Sequence, residues 1–123
     1  MKVLITDSVD SLLLTLLDKH NISYTCNLTD SENTLLKNIN LFDGIIVRNR
    51  LNIDAEFLNK ARNLKFIARY GSGMESIDTK KAKELNIKCF NSAEGNANSV
   101  GEHALGMLIC LFHNINNSAT QLK

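Results

Sequence analysis

Blocks of hydrophobic residues alternate with polar ones along the chain, and the spacing within each block predicts its secondary structure. Leucines at positions 12, 13, 16 and 17 recur on one side of a helix predicted over Val9–His20. The flanking runs Lys2–Thr6 and Ile22–Cys26 are short and apolar, which is typical of strands. The chain therefore begins in the order strand, helix, strand.

The same alternation continues through the rest of the chain. Further strands are predicted at Ile45–Val47, Leu64–Ala68 and Ile87–Phe90, and further helices at Ser31–Asn38, Ala55–Ala61, Asp78–Leu85 and Asn98–Asn114. Five βα units in succession predict an α/β fold, with a doubly wound parallel sheet of five strands and right-handed crossovers. Because Ile45–Val47 is apolar without a break, we expect this strand to be buried on both faces.

Composition narrows the class of protein. The 123 residues are 44% hydrophobic and 22% charged with a formal net charge of +1, which fits one globular domain. The sequence has no basic stripe interleaved with aromatic residues, so we expect no nucleic-acid partner. Asp7 interrupts the first apolar run and Ala104–Phe112 is too short to cross a bilayer, so we expect a cytoplasmic protein without membrane contact.

No metal site and no nucleophilic catalytic set is predicted. Cys26, Cys89 and Cys110 lie in apolar surroundings and form no CxxC pair, so we expect small buried hydrophobic side chains. His103 stands alone one turn into the last helix, where a structural role is the simpler interpretation. That helix is apolar on every side over Ala104–Phe112, so it needs burial against another domain or another subunit.

Three polar segments follow predicted strands and should meet at one edge of the sheet. In a doubly wound sheet, ligands bind at the carboxyl ends of the strands. Arg48-Asn49-Arg50 follows the third strand, and its guanidinium and amide groups can bind a carboxylate or phosphate through bidentate hydrogen bonds. A solvated turn with one structural ion pair is the alternative for this segment.

The segment Tyr70-Gly71-Ser72-Gly73 follows the fourth strand. It resembles the start of a G-x-G-x-x-G dinucleotide motif, but Ser76 stands at the third glycine position and the loop follows the wrong strand. We therefore reject a pyrophosphate site there. Its glycines can still allow close approach of a ligand and direct N–H groups at an anion, and a simple tight turn is the alternative.

The third segment, Asn91–Asn98, leads into the last helix. Asn98 or Ser99 can cap that helix, and Glu102 stands three residues after Ser99, as in a capping box. Capping alone would explain these side chains.

Three stretches together resemble the D-2-hydroxyacid dehydrogenase family. Asn63–Asp78 is similar to its N-L-K-x-I-x-R-x-G-x-G-x-D-N-I-D run, Phe90–Ala104 to the x-N-x-P-x-G-N-x-x-S-V-A-E-H entry to its long helix, and Phe42–Arg50 to x-D-(G/A)-x-x-V-R-S-x. Their order and spacing agree over most of the chain. The paired arginines and the run Glu94-Gly95-Asn96 are most similar to the D-3-phosphoglycerate dehydrogenase branch.

The resemblance implies a flavodoxin-like substrate-binding domain over residues 1–97 and, over residues 98–123, a long linker helix leading to an NAD-binding Rossmann domain further along. It implies that the catalytic arginine, acid and histidine lie downstream, so that none is in this chain and His103 is not that histidine. It also implies a homodimer and a 2-hydroxy or 2-keto acid substrate that can carry a phosphate. The implied substrate-binding residues are Arg48, Asn49, Arg50, Tyr70, Gly71, Ser72, Gly73 and Asn96, and the implied NAD contacts are Ser72, Asn98 and Ser99.

This chain departs from the family pattern at three places. Asn49 replaces the usual serine, Ala93 the usual proline, and Glu75-Ser76 the usual Asp-Asn. Two other functions are considered. A signalling receiver domain has the same five units but needs a phosphorylatable aspartate after the third strand, where this chain has Arg48. A truncated, non-enzymatic module that binds NAD or a metabolite fits the same residues.

Overall fold

The five predicted strands form one parallel sheet in this computed structural model, which describes residues 1–121 except for the side chains at positions 116, 119 and 120. The strands lie in the order β2-β1-β3-β4-β5, the flavodoxin-like order. Their bounds are β1 Lys2–Ile5, β2 Ser23–Cys26, β3 Gly44–Val47, β4 Phe66–Arg69 and β5 Lys88–Phe90. The α/β class and the five-stranded parallel sheet are therefore confirmed.

Helices follow the strands as predicted, and side-chain caps close the first turns of several of them. Their bounds are α1 Ser11–Lys19, α2 Glu32–Asn38, α3 Ala55–Lys60, α4 Thr79–Glu84, α5 Glu94–Phe112 and α6 Ile115–Gln121, with a 3-10 turn at Ile39–Leu41. Ser31, Asp54 and Asp78 accept backbone N–H groups at 3.4, 2.8 and 2.9 Å. Such caps satisfy donors that have no partner inside the helix.

Both faces of the sheet are covered, which makes it doubly wound. Ile45 and its neighbours pack against α2, α3 and α4 in the larger core cluster. Ile46 points to the other face and packs with Leu17 of α1 in the smaller cluster. All four residues of β3 are buried, as its unbroken apolar sequence predicts.

The described chain divides into two compact units, one over Met1–Ser92 and one beginning at Ala93. The last long helix begins at Glu94, so the predicted start at Asn98 is wrong by four residues. Ala93 occupies the cap position without a side-chain hydrogen bond, and neither Asn98 nor Ser99 caps the helix. Asparagine and glycine have low helix propensity, but this preference is weak and does not prevent a helix from starting before Asn98. A carboxylate in the first turn, here that of Glu94, favours the earlier start.

The second unit exposes much apolar surface. None of the side chains of α5 is buried, and Leu105, Met107, Leu108 and Phe112 are among its exposed hydrophobic residues. After α5 the backbone of Asn114 adopts a left-handed φ of 50°, and α6 begins at the next residue. Among the described residues, no helix is both long and apolar enough to cross a membrane.

The cysteines are less buried than predicted. Cys26 is exposed, whereas Cys89 and Cys110 are half-buried. Cys26 is exposed because it lies on β2, which is an edge strand with three of its four residues exposed.

Within residues 1–121, no cluster of histidine, cysteine and acidic side chains could hold a metal ion.

Candidate functional site

The candidate site lies where β1, β3 and β4 end side by side. Arg48–Arg50, here called the β3 loop, follows β3, and Tyr70–Gly73, called the β4 loop, follows β4. The sheet order places these strands next to each other, and the Tyr70 N–H donates to the Val47 carbonyl at 2.7 Å. These two predicted segments therefore meet at the carboxyl edge of the sheet, and the third predicted segment joins them there only through Asn91 and Ser92.

The carboxylate of Asp7, just after β1, holds the backbone of the β3 loop. Its two oxygens accept the N–H groups of Arg48 at 2.9 Å and Asn49 at 3.2 Å, and the Thr6 hydroxyl donates at 2.9 Å. Burial by itself raises the pKa of Asp7, but these hydrogen bonds outweigh burial and bring the pKa below its ordinary value. Asp7 is therefore an ionised anchor for the loop.

Arg50 is bound to the protein's own backbone. Its Nη1 donates to the carbonyls of Thr6 at 2.9 Å and Asn27 at 2.6 Å, and its Nη2 donates to the carbonyl of Asp30. The side chain is half-buried, and it connects the ends of β1 and β2 to the β3 loop. This placement indicates that Arg50 anchors the loop. In the β3 loop, the side chains that remain free for the predicted substrate contact are those of Arg48 and Asn49.

Arg48 and Asn49 are the exposed residues of the β3 loop. Among the described residues, the Arg48 guanidinium meets no hydrogen-bond acceptor, so its donors are available to a ligand. The Asn49 side chain is held on one side only, because its Oδ1 accepts from Nη2 of Arg69 at 2.8 Å. The edge of the sheet thus presents a free guanidinium beside a partly fixed amide.

Arg69 joins the two loops. Besides its bond to Asn49, its Nη1 donates to the carbonyl of Tyr70 at 3.1 Å. A Cβ at Gly71 would lie 2.5 Å from the same Nη1, so a larger residue there would displace the guanidinium. No glycine among the described residues has a positive φ, which means that Gly71 serves close approach and not a special backbone conformation.

The rest of the β4 loop is held from β5. Asn91 donates from Nδ2 to the Ser72 carbonyl at 2.7 Å, and the Ser92 N–H donates to the Gly71 carbonyl at 2.8 Å. Tyr70 and Ser72 are exposed, and Tyr70 retains 38% of its accessible surface. At Gly73 the Glu75 carboxylate occupies the place that a Cβ would take, so this end of the loop is less favourable to an anion.

The remaining predicted site residues lie in the other unit. Asn96, Asn98 and Ser99 are exposed in the first two turns of α5. Their predicted contacts with substrate and NAD stay predictions.

Sequence reasoning did not assign three residues that organise this edge. Asp7, Arg69 and Asn91 each fix a loop through a hydrogen bond between segments that are distant in sequence. Each stands at the carboxyl end of a strand, which is a signal that the sequence does carry. Their partners could not be chosen without the strand order.

The chain is similar in sequence to a known protein family. The family model for the catalytic domain of D-isomer specific 2-hydroxyacid dehydrogenases matches residues 3–121. D-3-phosphoglycerate dehydrogenase from Archaeoglobus fulgidus is 28% identical over 123 residues, and hydroxypyruvate reductase from Thermotoga maritima is 33% identical over 108 residues. These matches cover 100% and 88% of this chain, but only 23% and 35% of the two relatives.

Several solved structures have a fold similar to that of this chain. The PH0520 protein from Pyrococcus horikoshii matches 97% of this chain and 35% of its own, with a TM-score of 0.88 and 28% identity. An NAD-dependent formate dehydrogenase from Staphylococcus aureus, in complex with NAD, matches 98% of this chain and 41% of its own, with a TM-score of 0.76 and 26% identity. Since the family model spans nearly the whole sequence, this chain belongs to the D-isomer specific 2-hydroxyacid dehydrogenase family.

Proposed function

We propose that this chain is the N-terminal substrate-binding part of an NAD-dependent D-2-hydroxyacid dehydrogenase, with phosphoglycerate as the preferred substrate class. The observation that carries the proposal is the pair of exposed side chains Arg48 and Asn49 beside Gly71, at the carboxyl edge of β3 and β4. Several relatives are D-3-phosphoglycerate dehydrogenases, and this supports a substrate that carries both a carboxylate and a phosphate.

The role of these residues would be positioning. A guanidinium and an amide that hold the acid group of a substrate fix its C2 atom relative to a hydride acceptor, and orientation of this kind removes part of the entropic barrier to reaction. NAD would accept the hydride. Ser72 in the first unit has an exposed hydroxyl that would hydrogen-bond to such a cofactor. Asn98 and Ser99, which are exposed in the second unit, are proposed as further contacts because of the family resemblance. A homodimer in the cytoplasm belongs to the same proposal.

An NMR titration tests the binding role. The ¹⁵N-labelled chain is titrated with 3-phosphoglycerate, and we expect shifts at the Gly71 and Ser72 amides and weaker binding in Arg48→Ala, by about tenfold, since one charge-assisted interaction is lost. Arg62→Ala is the matched control, because Arg62 precedes β4 at the opposite edge of the sheet. If both variants bound 3-phosphoglycerate equally weakly, the loss would reflect only the change in net charge, and this result would contradict the proposal.

A non-enzymatic module that binds NAD or a metabolite is the second candidate. It predicts the same titration, because it uses the same loops. The two differ only in hydride transfer by the complete protein. Sequencing the gene beyond the codon for Lys123, for a continuing frame with a G-x-G-x-x-G motif and a later histidine, distinguishes them.

A further inference from the structure

We infer that Arg69 is a positioning residue that fixes the orientation of the Asn49 amide, so that the β3 loop presents only hydrogen-bond donors to the substrate. The inference rests on the proposed function and deepens it. It assigns to Asn49 and Arg69 the selection of an anionic end group, either a carboxylate or a phosphate.

The orientation of the Asn49 amide follows from the chemistry of its partner. A guanidinium has donors only, so the Asn49 atom that lies 2.8 Å from Nη2 of Arg69 is the carbonyl oxygen. The NH₂ group of Asn49 must then point away from Arg69. No described residue accepts from this NH₂ group, which leaves it free to donate to a ligand.

Besides its bond to Asn49, Arg69 is held by a second hydrogen bond and by close contact with Gly71. Its Nη1 donates to the Tyr70 carbonyl at 3.1 Å, and the same atom fills the space beside Gly71. Its Nε is buried, with no hydrogen-bond partner among the described residues. A guanidinium fixed in this way cannot turn with the asparagine, so the amide loses its freedom to flip.

The result is a surface of one polarity. The exposed Arg48 guanidinium and the Asn49 NH₂ group stand on the same loop and both donate. Asp7 offers little free acceptor capacity to this surface, because its two oxygens already accept three hydrogen bonds, from the Arg48 and Asn49 N–H groups and the Thr6 hydroxyl. An anion with several acceptor oxygens matches such a surface, whereas a neutral group that needs an acceptor does not.

One substitution separates the role of the Asn49 amide as a donor from its effect on stability. Asn49→Asp keeps an oxygen for Arg69 and adds an ion pair, but it replaces the donating NH₂ with a charged acceptor. We expect a thermal midpoint equal to or above that of the unsubstituted chain, and affinity for 3-phosphoglycerate at least tenfold weaker. Binding by Asn49→Asp as tight as that of the unsubstituted chain would overturn the role of the amide as donor.

The effect of Arg69 on the orientation of the Asn49 amide is measured without ligand. In Arg69→Ala we expect the two side-chain NH₂ signals of Asn49 to move toward the values of a solvated asparagine, with partial recovery in Arg69→Lys, which keeps one donor. Arg62→Ala removes the same charge and should leave these signals in place. Unmoved Asn49 signals in Arg69→Ala would overturn the positioning role.

The two measurements keep the inference apart from the proposed function. If 3-phosphoglycerate shifts no signal of the unsubstituted chain, the proposed function and the selection of an anion both fail. The Asn49 signals in Arg69→Ala decide the positioning role by themselves, whatever the titration shows.

Discussion

Single side chains hold the β3 loop in place more firmly than its exposed position suggests. Asp7 binds the loop backbone from the end of β1, Arg50 binds three carbonyls around β1 and β2, and Arg69 binds the Asn49 side chain from β4. Two arginines that stand two positions apart in the sequence thus differ in role. Arg50 anchors the loop, whereas the Arg48 side chain is exposed and is the one proposed to bind the substrate.

Asp7→Asn should destabilise the chain at neutral pH and much less in acid. Because the folded pKa of Asp7 is lowered, its stabilising contribution is complete above the unfolded value of about 3.9 and is lost as the pH falls through the lower folded pKa. We expect a loss of about 1–3 kcal/mol in the free energy of unfolding at pH 7. Urea unfolding at pH 7 and pH 3 measures it, with Glu102→Gln on α5 as control. A difference that does not shrink at pH 3 would contradict an ionised anchor.

Arg50→Met should cost far more stability than Arg48→Met. The first substitution removes the donors to three backbone carbonyls and leaves some of these carbonyls without a partner. We therefore expect the free energy of unfolding to fall by about 2–4 kcal/mol. The second changes an exposed side chain and should stay within about 0.5 kcal/mol. Thermal unfolding of the two variants measures both. Similar losses in the two would argue against the anchoring role of Arg50.

At the scale of elements, β3 is the centre of the fold. It is the middle strand of five and is fully buried, and the β3 loop with its proposed substrate-binding residues follows its carboxyl end. Its amino end is fixed as well. The Asp43 carboxylate accepts from the Lys2 N–H at 2.8 Å and from Lys65 Nζ at 2.6 Å, and the Lys65 hydrogen bond is the largest cause of the lowered pKa of Asp43. Hydrogen bonds from neighbouring segments therefore hold both ends of β3.

Gly44→Ala tests this packing. A Cβ at Gly44 would collide with the Phe66 ring, which also makes an edge-on contact with Phe90 at a centroid distance of 6.5 Å. Such overpacking should cost about 1–3 kcal/mol. Gly106→Ala in α5, where a Cβ would meet nothing within 4 Å, should instead stabilise its helix by about 0.5–1 kcal/mol. Chemical denaturation of both variants measures the contrast, and a neutral Gly44→Ala would contradict the tight fit.

At the scale of the whole molecule, the chain spans about a quarter to a third of the length of the curated relatives described above. Its first unit has a core on both faces of the sheet, whereas α5 of the second unit has no buried side chain. Exposed apolar surface of this extent commonly marks an interaction site. These features agree with the proposal that catalysis needs residues beyond this chain.

The isolated chain should therefore catalyse no NAD-dependent oxidation of 3-phosphoglycerate. The catalytic arginine and histidine that the family resemblance implies are expected outside residues 1–123, so binding can occur without hydride transfer. NADH formation is followed spectrophotometrically, with the hydroxypyruvate reductase from Thermotoga maritima and its own substrate as the assay control. Turnover that is proportional to the concentration of the pure chain and is lost in Arg48→Ala would show that the catalytic groups were misplaced.

The sequence by itself determined the succession of strands and helices along the chain, the burial of β3 and the family, because these depend on local periodicity and on short motifs. Only the tertiary structure decided what Arg50 and Arg69 do. Their partners are the Asp30 carbonyl and Asn49, each 20 residues away along the chain. No local pattern encodes such a pairing, since it exists only once the parallel strands have brought their ends together.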